Sequence, residues 1–167
     1  MNDQATWEQA VITVSNWYFG LPSGIRAECD ELLENIMEFK QQLVELVTSS
    51  GSSIVCRSCG GDCCLLGKYH VSMLDILAYR NTGVEPVIPD FSASPACPYS
   101  DVSGCLMPPR YRPVTCVIFN CQLIYDRLTP TELDSLHEYE SRLRDTVACA
   151  MRLHNIRIDR PLLLSIT

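Results

Sequence analysis

Apolar side chains recur at helical spacing in three long stretches of the chain. Residues 3–18 repeat them about one turn apart, and Asn2 or Asp3 can cap this helix. Thr129, Pro130 and Glu132 form the start signal of a last helix that runs to about residue 154. A second helix is predicted over roughly 25–48, where successive apolar residues are alternately four and three positions apart. These residues are Ile25, Cys29, Leu32, Ile36, Phe39, Leu43 and Leu46.

The second and last helices both carry continuous apolar stripes, so we expect them to pack against each other. A stripe that stayed exposed would instead mark an interface with a second copy of the chain or with another protein.

The segments between these helices contain strong stop and turn signals. Ser49–Ser53 predicts a flexible linker. Ser72 and Asp75 predict a short capped helix over about 73–81, which Gly83 closes.

Residues 86–113 contain seven prolines, so this stretch is predicted as loop. An ordered loop of that length needs something to hold it, and a bound metal is the candidate. The tail after residue 155 is expected to be a short strand or an extended segment.

Composition and charge exclude several classes of protein. Apolar residues make up 47% and charged residues 20% of the 167 residues, which is typical of a globular chain. The net charge is −7, and residues 1–55 hold eight acids against two bases, so a nucleic-acid partner is not expected. No membrane span and no targeting segment is recognised, and we predict a cytoplasmic protein.

Cysteine is the most informative residue type. Eight of the ten cysteines lie within residues 56–121. In a secreted chain such a density indicates disulfides, and that alternative stays open, but in a reducing compartment it indicates metal or redox chemistry. The metal ligands are therefore predicted to be Cys56, Cys59, Cys63, Cys64, Cys97, Cys105, Cys116 and Cys121.

Thiolates select zinc or an iron–sulfur cluster as the cofactor. A C-x-x-C turn, Cys56 to Cys59, can direct two thiolates at one metal. If the backbone at Cys63 and Cys64 is extended, their side chains point to opposite sides and could serve two neighbouring centres. Eight thiolates match two four-cysteine sites, or one centre with a reserve.

Two arginines beside these cysteines, Arg57 and Arg112, are predicted to bind the cofactor by donating hydrogen bonds to sulfur. Cys29 lies on an apolar stripe and is predicted to be a buried hydrophobe. His70 follows Cys64 closely, but eight thiolates already suffice as ligands.

The array resembles the zinc- or iron-chelating family named for its CxxCxxCC motif, which is related to the cysteine-rich region of flagellin lysine N-methylases. The resemblance covers residues 56–121, where one more residue separates Cys59 from Cys63 than the family name indicates. It implies metal chelation, and for the methylase branch an iron–sulfur cluster. The matching residues are Cys56, Cys59, Gly60, Cys63, Cys64, Cys97, Pro98, Cys105, Arg112, Pro113, Cys116, Phe119 and Cys121.

These patterns predict a mainly α fold in which long amphipathic helices flank an irregular, cysteine-rich metal-binding core. The chain is interpreted as a single domain, residues 1–167: N-terminal helices in 1–55, the core in 56–121, and a C-terminal helix and tail in 122–167. A non-catalytic metal-binding protein is favoured. The alternatives are a redox or protein-lysine methyl-transfer enzyme, or its subunit, and a thiol-based redox sensor.

Overall fold

Two long helices, α2 (Ser23–Ser49) and α7 (Pro130–His154), pack along each other at the centre of the fold. The computed structural model describes residues 2–59, 61–155 and 157–165, apart from the side chain of Arg57. The other helices are α1 (Asp3–Phe19), α3 (Ser52–Ser58), α4 (Met73–Thr82), α5 (Val114–Ile118) and α6 (Gln122–Tyr125). The chain is thus mainly helical, as predicted.

The predicted helix starts are confirmed. The Asn2 side chain caps α1 by accepting a backbone hydrogen bond. Capping boxes open α4, through Ser72 and Asp75, and α7, through Thr129 and Glu132. These ends form locally because each side chain satisfies an amide that the first helical turn leaves free.

The predicted stripe of α2 is only partly correct. Cys29, Ile36 and Leu43 are buried, but Leu32 and Phe39 are only half-buried. The helix packs against α4 as well as α7, so its buried face is broader than a single seam. That face also includes Leu33, Met37, Lys40 and Val44.

Packing of the α2 and α7 stripes within the chain is confirmed. A protein partner or second copy that binds through these stripes remains a prediction. No helix in the described ranges is long and apolar enough to cross a membrane.

The predicted linker at Ser49–Ser53 is wrong in its second half, because α3 already begins at Ser52. Gly51 has a φ of 89° in the left-handed region, which separates the two helices within a very short connection. Cys56 therefore lies on a helix.

Residues 86–113 are largely irregular, as predicted. They contain 3₁₀ turns at Phe91–Ala93 and Pro109–Tyr111, and an antiparallel hairpin of β1 (Ser100–Asp101) and β2 (Gly104–Cys105). This segment has apolar anchors of its own, since Tyr99, Met107 and Tyr111 are buried in the core. Apolar packing in the core therefore contributes to the order of this segment, and a role for bound metal there remains a prediction.

The described part of the tail is bound to the start of α4. Leu74 donates a backbone hydrogen bond to Ile158 (2.9 Å), and Leu162 donates one to Val71 (2.7 Å). An isolated antiparallel bridge joins Ser72 to Pro161, and a 3₁₀ turn follows at Leu162–Leu164. The expectation of an extended tail is thus met only at this bridge.

Candidate metal centre

The C-x-x-C pair occupies the end of helix α3. Cys56 lies within the helix, and Cys59 is its C-terminal cap. Residues three apart share one face of a helix, so both thiols are on the same side. The Cys59 Sγ is 3.4 Å from the Cys56 carbonyl oxygen, to which it donates. The predicted turn is therefore the last turn of a helix.

Cys63 and Cys64 lie in a 3₁₀ turn, Asp62–Cys64, that follows Gly61. The backbone is not extended there, so the two side chains do not point to opposite sides as they would in a strand. At three residues per turn, consecutive side chains still diverge by about 120°. The two thiols remain close enough for Cys63 to raise the pKa of Cys64.

Cys97 lies directly against Gly67. A Cβ added to that buried glycine would lie 2.8 Å from the Cys97 Cβ and would overlap its sulfur. Gly67 begins the 3₁₀ turn that comes shortly after Cys64, so this close approach brings the proline-rich loop onto the cysteine-rich segment.

The β-hairpin brings Cys105 close to Cys97. Ser100 pairs with Cys105 across the hairpin. The same serine donates from its backbone nitrogen (3.1 Å) and its Oγ (2.8 Å) to the Cys97 carbonyl. One residue therefore positions the backbone of both cysteines.

Cys116 lies on α5, and its sulfur is 3.2 Å from Nδ1 of His70. His70 comes from the segment before α4, and only the tertiary fold brings it to Cys116. From the sequence, His70 was not predicted as a ligand, because eight thiolates already suffice.

Cys121 is the N-cap residue of α6, and α6 packs against α3. Cys121 is consequently on the side of the molecule that holds Cys56. The helix α3 also contacts β2, which contains Cys105. All eight predicted ligands therefore lie in one region, around α3, the hairpin and α5.

The thiols influence one another's protonation. Burial raises the pKa of Cys56, and the nearby Cys63, Cys59 and Cys121 raise it further. Burial also raises the pKa of Cys64 to about 12, with added contributions from Cys63, Cys97 and Cys105.

Burial similarly raises the pKa of Cys116, with Cys105, Asp75, Cys97 and Cys64 as its charged neighbours. Cys116 nevertheless retains contact with solvent, since it is an exposed residue. The raised pKa values of Cys56, Cys64 and Cys116 favour the protonated thiol at these three positions until a cation compensates the charge.

Arg112 is a cation whose charge acts on the cysteine region. Its positive charge lowers the pKa of Cys56 and so opposes the effect of burial. Its Nε donates to the Met107 carbonyl at 3.1 Å. Donation from Arg112 to a sulfur remains a prediction, and the predicted role of Arg57 concerns a side chain outside the described part of the structure.

The ten cysteines are free thiols in this structure. Cys29 is buried in α2, as predicted for a hydrophobe. Cys149 on α7 accepts a hydrogen bond from Arg152 at 3.0 Å and lies outside the cysteine-rich segment.

In the described ranges, no group of three or more His, Cys, Asp or Glu side chains is arranged to hold a metal ion. The eight thiols are thus gathered in one region without forming a closed coordination shell.

Comparisons with protein-family models, with curated proteins and with solved structures find no match for this chain.

Proposed function

We propose that this protein binds metal through the thiolates of residues 56–121, as zinc or as an iron–sulfur cluster, in a non-catalytic role. The observation that carries the proposal is the convergence of eight free cysteines from six separate elements, turns or loops on one region. Thiolates are the ligands that zinc and iron–sulfur clusters prefer. The motif resemblance points to the same chemistry.

The arrangement of the thiols agrees with a site that closes when metal enters. Cys56, Cys63, Cys64, Cys105 and Cys116 are exposed, so they are accessible to an incoming ion. The raised pKa values of Cys56, Cys64 and Cys116 mean that metal binding there would release protons, which is usual for cysteine sites. The binding energy would then draw the thiolates together and order the segments that carry them.

A reducing compartment such as the cytoplasm would keep these thiols available. Two centres with four thiolates each, or one centre with spare thiols, would carry negative charge beside Arg112. That charge would strengthen the attraction of the guanidinium to the site.

The proposal is tested on protein purified without oxygen. Zinc and iron are measured by elemental analysis, and the visible spectrum is recorded, because an iron–sulfur cluster is coloured and zinc is not. We expect at least one equivalent of zinc, or several of iron, per chain. A metal-free protein with disulfides among Cys56 to Cys121 in its native mass spectrum would overturn the proposal.

A further inference from the structure

A cleft with a volume of about 270 Å³ opens between the start of α4, the helix α5 and the C-terminal half of α7. It adjoins the cysteine region, because Thr115 lines it and directly precedes Cys116 in the chain. Among the described residues that line the cleft, none is a predicted metal ligand. The cleft is therefore a separate feature of the fold, and its chemistry is that of other side chains.

Four of the residues that line the cleft are apolar. Leu74 and Val147 are buried, whereas Val114 and Met151 are half-buried and still reach solvent. Val147 and Met151 follow Arg144 along α7 at three- and four-residue spacing, so these three side chains share one face of the helix. The apolar part of the cleft would bind the hydrocarbon part of a small ligand, as is typical of ligand sites.

Arg144 contributes a cation to the same cleft. Within the described ranges its guanidinium makes no hydrogen bond and no ion pair. Its charge acts on Glu140 and Tyr125, but neither is bonded to it. The carboxylate that lines the cleft, Asp159, is already bound by Arg157 through two hydrogen bonds of 2.8 and 3.0 Å. The guanidinium of Arg144 is thus available to an anionic ligand.

Two further polar groups at the cleft have unused hydrogen-bonding capacity. The Nδ1 of His70 is 3.2 Å from the Cys116 sulfur, and its Nε2 has no partner among the described residues. The Thr115 hydroxyl makes no hydrogen bond in the part of the chain that the structure describes. A guanidinium and a hydroxyl in one cleft suit a carboxylate, whose two oxygens accept several hydrogen bonds.

We propose that this cleft binds a small monocarboxylate with a short hydrocarbon chain, which pairs with Arg144 and covers Leu74 and Val147. A guanidinium can hold a carboxylate through two parallel hydrogen bonds, and its single charge compensates that of one carboxylate. A bare anion such as phosphate would leave the apolar residues uncovered. The small volume limits the ligand to less than the size of a drug molecule. This inference does not depend on the proposed metal-binding function.

The test titrates hexanoate into the protein as purified and follows the backbone amides by two-dimensional NMR. We expect saturable shifts at amides of the cleft, such as those of Leu74, Thr115 and Val147. The dissociation constant should be millimolar, because so small a ligand makes few contacts. Acetate, which lacks the chain, and hexanamide, which lacks the charge, should each bind at least about tenfold more weakly.

Arg144→Met should raise the dissociation constant of hexanoate about tenfold, because it removes the charged donor and keeps an unbranched side chain. Arg142→Met is the matched control and should leave binding unchanged. It makes the same change of charge on the same helix, at an arginine that pairs with Glu138 and does not line the cleft. Glu140→Gln should bind hexanoate at least as tightly as the wild type, since the change removes a carboxylate that attracts Arg144.

Arg144 is exposed, so its replacement should leave the fold intact, and the titration of the wild-type protein does not require any variant. Absent shifts, or shifts scattered over the whole surface, would overturn the proposal. Phosphate that binds as tightly as hexanoate would also overturn it, as would equal losses of binding in Arg144→Met and Arg142→Met.

Discussion

At Gly67 the fold leaves no room for a side chain, because Cys97 occupies that space. Its backbone lies against Cys97, and a Cβ would come within 2.8 Å of the Cys97 Cβ. The contact involves a buried residue at the base of the proline-rich loop, so Cys97 and its loop would have to shift. Gly24, in the first turn of α2, has nothing within 4 Å of the same position.

Gly67→Ala should therefore lower the free energy of unfolding by about 1–3 kcal/mol, the usual effect of overpacking. Under the proposed metal-binding function, it should also reduce the zinc that the protein retains in the presence of a chelator. Gly24→Ala should be neutral or stabilising by up to about 1 kcal/mol, because alanine favours helix. Chemical denaturation and metal analysis of both variants check the prediction, and equal stability of the two would contradict it.

Lys40 and Asp75 form a fully buried ion pair between α2 and α4, with 2.6 Å between Nζ and Oδ1. The other carboxylate oxygen, Oδ2, accepts hydrogen bonds from the backbone nitrogen and Oγ of Ser72. Asp75 therefore caps α4 and neutralises Lys40 at the same time. Removal of one partner leaves a buried charge without compensation.

Lys40→Met should lower the free energy of unfolding by about 3–5 kcal/mol, since Asp75 would remain buried without its cation. The control is Arg142→Met, which breaks the exposed pair of Arg142 and Glu138 on α7. That change should cost no more than about 0.5 kcal/mol, as is usual for surface pairs in helices. Urea denaturation measures both, and a loss below about 1 kcal/mol for Lys40→Met would show that the pair contributes little.

At the scale of the elements, helix α2 contributes buried side chains to the core from more than one of its faces. Ile36 is completely buried in it, whereas Ile12 on α1 is 54% exposed. Both are isoleucines within long helices, so they differ chiefly in burial.

Ile36→Ala should destabilise the protein by about 2–5 kcal/mol, because the change removes buried methyl groups and leaves a cavity. Ile12→Ala should stay within about 0.5 kcal/mol of the wild type. Thermal unfolding followed by circular dichroism compares the two variants. The packing described for α2 would be wrong if both changes had the same small effect.

The last turn of α7 packs on α1 through a pair of aromatic rings. The rings of His154 and Trp17 meet edge to face, with centroids 4.8 Å apart. Burial lowers the pKa of His154 below its ordinary value of 6.5. The unfolded chain therefore binds this proton more readily than the folded one, and the neutral ring is the form that favours folding.

The stabilisation from neutral His154 is complete above about pH 6.5, the ordinary pKa, and decreases as the pH falls through the interval down to the folded pKa. His154→Gln should consequently lose less stability than the wild type between about pH 8 and pH 5. Urea unfolding across this range checks the difference, with His137→Gln, at an exposed position of the same helix, as the control. Identical pH profiles for His154→Gln and wild type would contradict the expectation.

At the scale of the whole molecule, the helical core and the cysteine region have different sources of order. The core joins α1, α2, α4 and α7 with the described tail through buried apolar side chains. The cysteine region consists of short turns and exposed thiols, with Tyr99, Met107 and Tyr111 as its anchors in the core. Tyr111 also stacks on Tyr79 of α4, with ring centroids 4.3 Å apart.

Removal of metal with a chelator should therefore leave the helical circular dichroism nearly unchanged. Proteolysis should increase at exposed segments between the anchors, such as residues 101–106, because Cys105 in that segment would lose its bound metal. Limited proteolysis with and without chelator, followed by mass spectrometry, locates the cuts. Cleavage that is unaffected by chelation, or a general loss of helix, would contradict this division.

Local patterns in the sequence were sufficient to predict the long helices and their caps. Asn2, Ser72 and Thr129 each act within one turn of the chain, so short-range hydrogen bonding determines where the helices begin. The irregular course of residues 86–113 likewise follows from proline, whose missing N–H prevents regular pairing. The buried position of Cys29 was predictable from periodicity alone.

Contacts between distant residues were decided only by the tertiary structure. The Lys40–Asp75 pair, the contact of Gly67 with Cys97, and the approach of His70 to Cys116 join residues that are 30 or more apart in the chain. Cysteine spacing indicated the type of ligand but left the grouping open, because thiols from separate turns become neighbours only when the helices pack. Which cysteines become neighbours depends on how α3, α6 and the β-hairpin meet, and no local pattern encodes these contacts.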